Sequence, residues 1–318
     1  MTSTPVNPPL ARWASVLAAI GATVRPILRP GLQVLRRDAR TLQLGLDWPG
    51  LATLPDSAAL QAVLAAVDGC RTVEQVVAHA LMCAPDAAEV EVSAALESLL
   101  DCGALVDQAT THRSNLREPA WAALWLLSGP HRDPAELARL RLSCAVEVRG
   151  AGIVAAELRR ALASSDLRSD GSDVVVVAGD TEPDRDRGDL PMHRSVPHVW
   201  VWVRELVGVV GPFVVPGKTS CLRCIDEARA DLDAAWPTLV ASSVAKPLPV
   251  PACDPLLAAL VAALAMHDLG LWASGLRPLS WGRMIEVPQG FGLISSEDFA
   301  PHPRCGCGWP QWHDTMGA

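Results

Sequence analysis

Four cysteines near the end of the chain constrain its fold more than any other feature. Cys221 and Cys224 stand in "GPFVVPGKTSCLRCIDEARADLDAAWP", after a strand-like run and before a helix-like one, and Cys305 and Cys307 stand in "HPRCGCGWP". Four thiolates satisfy tetrahedral zinc, and two close pairs from distant segments are its usual structural form. Any fold must then bring residue 305 back to residue 221. A Cys-x-Cys in a regular strand points its sulfurs to opposite faces, so Gly306 and Gly308 have to supply a turn. A redox Cys-x-x-Cys needs no second pair. Cys253, His302 and His313 are reserve ligands. The expected role of the zinc is structural, because four thiolates leave no open position for water.

The chain has 318 residues, enough for two domains with separate cores. Half of them are hydrophobic and 19% are charged, a globular composition, and the net charge of -8 argues against a nucleic-acid binder. The apolar stretch from Trp13 to Val24 imitates a signal-peptide core, but its leader "MTSTPVNPPLAR" carries a single Arg, so a short helix is expected there. Nine cysteines spread along a chain without an export signal imply reduced thiols and a cytoplasmic location. Cys70, Cys83, Cys102 and Cys144 fall in helix, helix-end or strand patterns and are expected in cores. The run Leu256 to Leu269 is broken by His267 and Asp268 and is too short to cross a bilayer; it is expected to be a buried helix, with no membrane association.

In the first third, "GLQVLRRDARTLQLGLD" alternates as two strands that turn at Asp38-Ala39-Arg40, and "GLATLP" supplies a third. Asp56 or Ser57 caps a first helix that ends by Gly69, Thr72 opens a second with Glu74 and Gln75 in its first turn, and Asp86 opens a third. "ALVD" is an extended exit. The order of three strands and three helices resembles the PqqD-like winged-helix domain that binds leader peptides of ribosomally made natural products. The matching residues are Leu35-x-x-Asp38, Leu42-Gln43-Leu44-Gly45, Val67-Asp68-Gly69-x-Arg71-Thr72 and Leu99-x-x-x-Gly103-Ala104-Leu105-Val106. That resemblance implies a peptide added as a strand beside the third strand and against the third helix, at Leu51, Ala52, Thr53, Val90 and Ala94. The alternatives are a plain docking domain and, last, a DNA-binding winged helix, which would need a basic cluster that these helices lack.

Beyond a linker around residues 111–140, "CAVEVRGAGIVAAELRRALASS" reads as strand, tight turn and helix, with Gly150, Gly152 and Ala155 at the turn. Such a turn cradles a phosphate at a helix start or simply joins strand to helix. "DVVVVAGD" follows after a short connection and ends at Asp180, which can hold a ribose or a magnesium ion, or cap the following turn. The strands "HVWVWVREL" and "VGVVGPFVVPG" lead to the first cysteine pair.

This body, with "GPFVVPGKTSCLRC" and "HPRCGCG", is similar to the ThiF and ubiquitin-activating-enzyme superfamily. Joined to a PqqD-like start, it resembles the partner proteins of YcaO enzymes, known as bacteriocin-biosynthesis cyclodehydratase proteins. The resemblance implies an α/β chain in four parts: a 1–29 extension, a PqqD-like domain at 30–110, a connection at 111–140, and a shortened ThiF-like, Rossmann-type domain with structural zinc at 141–318. It implies a leader-binding scaffold that presents a precursor peptide to a YcaO-type enzyme for azoline formation, with a homodimer also allowed. The connection before Asp173 has no room for the Arg and Lys with which active relatives grip ATP. A non-catalytic, degenerate member without adenylate chemistry is therefore expected. The alternatives are an active adenylyltransferase acting on a peptide or protein C-terminus, and a housekeeping interaction protein.

Overall fold

Short-range signals built the first half of the chain. In the computed structural model, residues 24–47, 50–111, 116, 118–129, 132–246, 250–290 and 292–307 are described. Trp13 to residue 23 of the expected N-terminal helix, Gly308 and the reserve ligand His313 lie outside them. The chain divides into two units, Met1–Ala138 and Arg139–Ala318.

In the first unit, β1 (Pro26–Leu28) lies within the expected extension, and pairs antiparallel with β5 (Leu105–Asp107), the expected extended exit. The strands β2 (Val34–Arg36), β3 (Thr41–Leu44) and β4 (Ala52–Pro55) form an antiparallel sheet in that order. Alternation turns Leu42 and Leu44 inward, where they meet Leu60, Val63, Val76, Val92, Leu96 and Leu99 in one core. Those residues come from α1 (Ala58–Ala66), α2 (Val73–Cys83) and α3 (Glu89–Asp101).

Ser57 caps α1 through Leu60 N, and Thr72 and Gln75 form a reciprocal capping box on α2. The expected cap of α3 is corrected: the helix starts at Glu89 with Ala88 at its cap, and Glu91 accepts from Ala88 N at 2.9 Å. Asp86 instead stands in the turn before it. The "DG-x-RT" string is a loop held by its own aspartate, since Asp68 accepts from Cys70 N at 2.8 Å and pairs with the Arg71 guanidinium. The Cys70 N–H holds the Asp68 carboxyl below its ordinary range. After β5 come α4 (Gln108–Thr111), α5 (Glu118–Ser128) and α6 (Pro134–Ser143); the division between the units falls within α6.

The second unit is built on a mixed sheet. It contains β6 (Val146–Gly150), β7 (Val174–Gly179), β8 (His198–Arg204), β9 (Val207–Val214), β10 (Arg283–Pro288) and β11 (Ser295–Asp298), ordered β11-β10-β9-β8-β7-β6. β6, β7 and β8 run parallel, and the pairings from β8 outward are antiparallel. Two-residue alternation in "HVWVWV" sends Val199, Val201 and Val203 to one face. That face is covered by α7 (Ile153–Ala163) and α11 (Pro255–Ala273). Trp200 and Trp202 go to the other face, against α8 (Asp189–His193) and α9 (Leu222–Leu232). The helix α10 (Trp236–Ala245) follows α9 and has no buried residue.

By length and composition α11 could cross a bilayer, but half of its apolar window is buried through residues such as Leu257, Val261, Ala265 and Leu269. Its Asp268 is 1% exposed and accepts from Leu279 N at 2.8 Å and Ser280 N at 2.9 Å. The charge that interrupts the apolar run is thus a fully bonded anchor for the following turn.

Candidate functional site

The two cysteine pairs converge. Cys221 is the N-cap of α9 and Cys224 lies in its first turn, with Cys224 N donating to Cys221 O at 3.0 Å. Gly306 has φ +74°, the left-handed conformation that lets Cys305 and Cys307 turn toward one centre. The four sulfurs all lie within 4.8 Å of one another, with Sγ–Sγ distances of 3.8 Å for Cys221–Cys224, 3.4 Å for Cys221–Cys305 and 3.2 Å for Cys224–Cys307. A tetrahedron with Zn–S bonds of 2.3 Å has edges of about 3.8 Å. The set fits zinc after small outward movements of the second pair. Hydrogen bonding from the Cys221 thiol holds Cys224 far below the ordinary thiol range, and the same bond pushes Cys221 upward. The helix N-terminus also favours negative charge there.

Salt bridges hold the second pair against α9. Arg304 reaches Glu227 at 2.8 Å and Asp231 at 2.5 Å, and His302 Nε2 lies 3.1 Å from Asp231 Oδ2. His302 therefore faces a carboxylate, and among the described residues the metal-type cluster contains neither His302 nor Cys253. Burial pushes the Cys253 thiol up to about 11.

At the glycine turn, the helix start already has an anion. Asp180 accepts from Ile153 N at 2.7 Å through Oδ2 and from Val154 N at 2.9 Å through Oδ1. Its carboxylate thus caps α7, and not the turn that follows it. Gly150 (φ +126°) and Gly152 (φ +95°) are both left-handed. A Cβ would come 2.0 Å from Ala178 O at Gly150 and 2.1 Å from Asp180 Oδ2 at Gly152. Both glycines serve the close approach of β6 to β7 and of α7 to Asp180. Ala155 is fully buried in the core. The turn glycines, Ala155 and Asp180 are therefore at one strand-to-helix junction, where the Asp180 carboxylate takes the Ile153 and Val154 amides and Gly150 O accepts from Arg159 at 2.8 Å.

The first unit presents an open strand. β4 pairs with β3 on one side and is the last strand of its sheet. Register places Leu42 opposite Leu54 and Gln43 opposite Thr53, and Asp56 N donates to Arg40 O at 2.7 Å. Antiparallel pairs alternate between bonded and non-bonded. Ala52 and Leu54 therefore bond β3, and the Thr53 N–H and C=O point to the free edge. Pro55 falls in the outward position as well, where its missing N–H costs nothing. A groove of about 890 Å³ lies beside this strand, between Leu54 and Pro55, Leu60 of α1, and Ala94 and Ser98 of α3. Leu51 is 38% exposed and Val90, one helical turn before Ala94, is 73% exposed.

A charged cluster that the sequence pattern does not signal follows Asp180. Arg185 forms a two-pronged pair with Asp226, both contacts at 2.8 Å, and reaches Glu182 at 2.7 Å. Burial alone would lower the Arg185 pKa, but these partners raise it. "TEPDRDRGD" shows only dense charge, with no periodicity to say which groups turn inward.

No family model matches the chain, and no curated protein matches it. Its fold does match solved structures. A heterocyclase solved in complex with substrate and cofactor aligns with TM-score 0.66 and 19% identity over 93% of this chain and 41% of that one. The heterocyclase TruD aligns with TM-score 0.65 and 20% identity over 92% of this chain and 44% of that one. E. coli MccB, solved with AMPCPP and MccA, aligns with TM-score 0.61 and 14% identity over 89% of this chain and 99% of that one. The chain thus shares their fold, and spans less than half the length of the two heterocyclases.

Proposed function

We propose that this chain is a leader-peptide-binding scaffold with a structural zinc, which presents a ribosomally made precursor to a YcaO-type cyclodehydratase. The observation that carries this reading is the open edge of β4 beside a groove of about 890 Å³. An extended peptide gains main-chain hydrogen bonds from such an edge and places alternate side chains in the groove. The fold shared with a heterocyclase solved with its substrate supports the choice of a precursor peptide. The Asp180 carboxylate at the α7 start supports a scaffold over an adenylyltransferase, because it stands where the helix would otherwise receive an anion.

The test is fluorescence anisotropy of the full chain with the labelled leader of a Cys/Ser/Thr-rich precursor encoded beside it. Thr53→Pro removes the outward N–H, whereas Ala52→Pro would break the bond to β3. Losing one edge hydrogen bond, worth about 1 kcal/mol, should weaken binding by at least about fivefold while the fold survives. Unchanged affinity in Thr53→Pro would remove β4 as the docking edge.

A further inference from the structure

His198, Trp200 and Trp202 share one face of β8, and each carries a polar atom into the interior. Two of the three are served by the protein. His198 Nδ1 bonds Val196 O at 3.1 Å, and Trp202 Nε1 donates to Glu182 Oε2 at 3.1 Å. Trp200 is 2% exposed, yet its Nε1 has no partner among the described residues. A buried indole N–H ordinarily finds an acceptor, and an orphan calls for a water or a ligand.

Trp200 and His198 both line a cavity of about 340 Å³. Met192 and Leu222 supply apolar wall, and Gly188 holds it open against the indole: a Cβ there would come 2.7 Å from Trp200 Cζ2. The volume exceeds the roughly 30 Å³ of one water about tenfold. The Nδ1 bond to a carbonyl must be donated by the ring, so Nε2 carries the lone pair. Burial keeps that ring neutral near pH 7. The two rings meet edge to face with centroids 6.3 Å apart. The side chains that carry the unpartnered donor and the acceptor thus line one cavity, beside apolar wall from Met192 and Leu222 and the charged Arg185, Asp189 and Arg223 at its lining.

The lining arginines do not make this an anion site. Arg185 is paired with Asp226 and Glu182, and Arg223 with Asp186 at 2.8 Å and Asp189 at 3.1 Å. Cys221, Cys305 and Cys307 reach the same cavity, but a four-thiolate set has no coordination position left for a ligand.

We propose that this cavity binds a neutral primary carboxamide, the group borne by Asn and Gln side chains, with its oxygen accepting from Trp200 Nε1 and its nitrogen donating to His198 Nε2. A carboxylate would set a lone pair against that of Nε2, and a hydrocarbon would leave both polar atoms unserved. The site lies in the second unit and does not depend on peptide capture by β4.

The test uses the full-length, zinc-loaded protein labelled with ¹⁵N at its indoles, with propionamide as probe and propionate as comparison. Trp200→Phe identifies the Trp200 indole signal by its loss, and the unmoved Trp202 signal reports an intact fold. The Trp200 signal should shift saturably with propionamide, with at least about tenfold weaker response to propionate. Propionamide binding, followed on the Met192 methyl, should weaken about tenfold in Trp200→Phe. Equal response to both probes overturns the carboxamide assignment. A Trp200 signal that ignores both probes and exchanges contacts only with solvent means ordered water alone, and overturns the site.

Discussion

Replacing Asp180 by Ala separates a carboxylate that builds the fold from one that serves a nucleotide. The side chain makes two charge-assisted bonds, at 2.7 and 2.9 Å, to the first amides of α7. Val154 is fully buried, so its amide would have no water to turn to, whereas Ile153 is 38% exposed and its amide can be hydrated. Loss of a helix cap costs ~1 kcal/mol, and a buried amide left unserved costs ~1–3 kcal/mol. Together they place the expected destabilisation at ~2–4 kcal/mol. Urea unfolding gives the total, and amide exchange on β6, β7 and α7 assigns it to the second unit, since two units need not unfold as one. Calorimetry with ATP and magnesium, run in parallel on the parent chain and the variant, should find no binding in the micromolar range, about -8 kcal/mol. Full stability in the variant, together with ATP affinity that only the parent chain possesses, would show that the carboxylate acts on a nucleotide-bound metal and would refute the capping argument.

Two further outcomes follow from the second unit. Metal analysis of reduced protein purified without chelator should find one zinc per chain, and Cys224→Ser should lower the melting temperature and speed exchange near residues 302–307 while leader affinity holds; a zinc-free protein, or a Cys221–Cys224 disulfide that cycles, would contradict this. Burial moves His198 from 6.5 to about 4, so the unfolded chain takes up this proton first as pH falls. Stability is full above pH 6.5 and declines toward pH 4, by at most about 3 kcal/mol from this group, and a His198→Phe variant should show a flatter urea-midpoint profile over that window.

What the sequence revealed depended on distance along the chain. The Ser57 cap and the Thr72–Gln75 box act across three residues, and both were readable before any fold was known. The hairpin through β2, β3 and β4 was readable because its alternation and turns are local. The cysteine set was readable despite its span because thiol pairs are rare and their chemistry demands partners. The pairing of β1 with β5 joins two three-residue strands far apart in the chain, too short for periodicity to register. Asp180 reaches an amide 27 residues away, and no pattern around "AGD" says which helix it will cap. Asp86 was expected at the α3 cap because aspartate favours that position, but the turn runs on to Ala88 and Glu91 serves the start instead.

Amide hydrogen exchange of the full chain with and without its leader peptide tests the central claim most directly. In the free protein the Thr53 amide points to the open edge of β4 and should exchange fast, while the Ala52 and Leu54 amides, bonded to β3, should already be slow. Leader binding should slow Thr53 strongly and protect α3 around Val90 and Ala94, leaving β6 to β9 unchanged. Protection confined to the second unit, with Thr53 still fast at saturating leader, would contradict peptide capture at this edge.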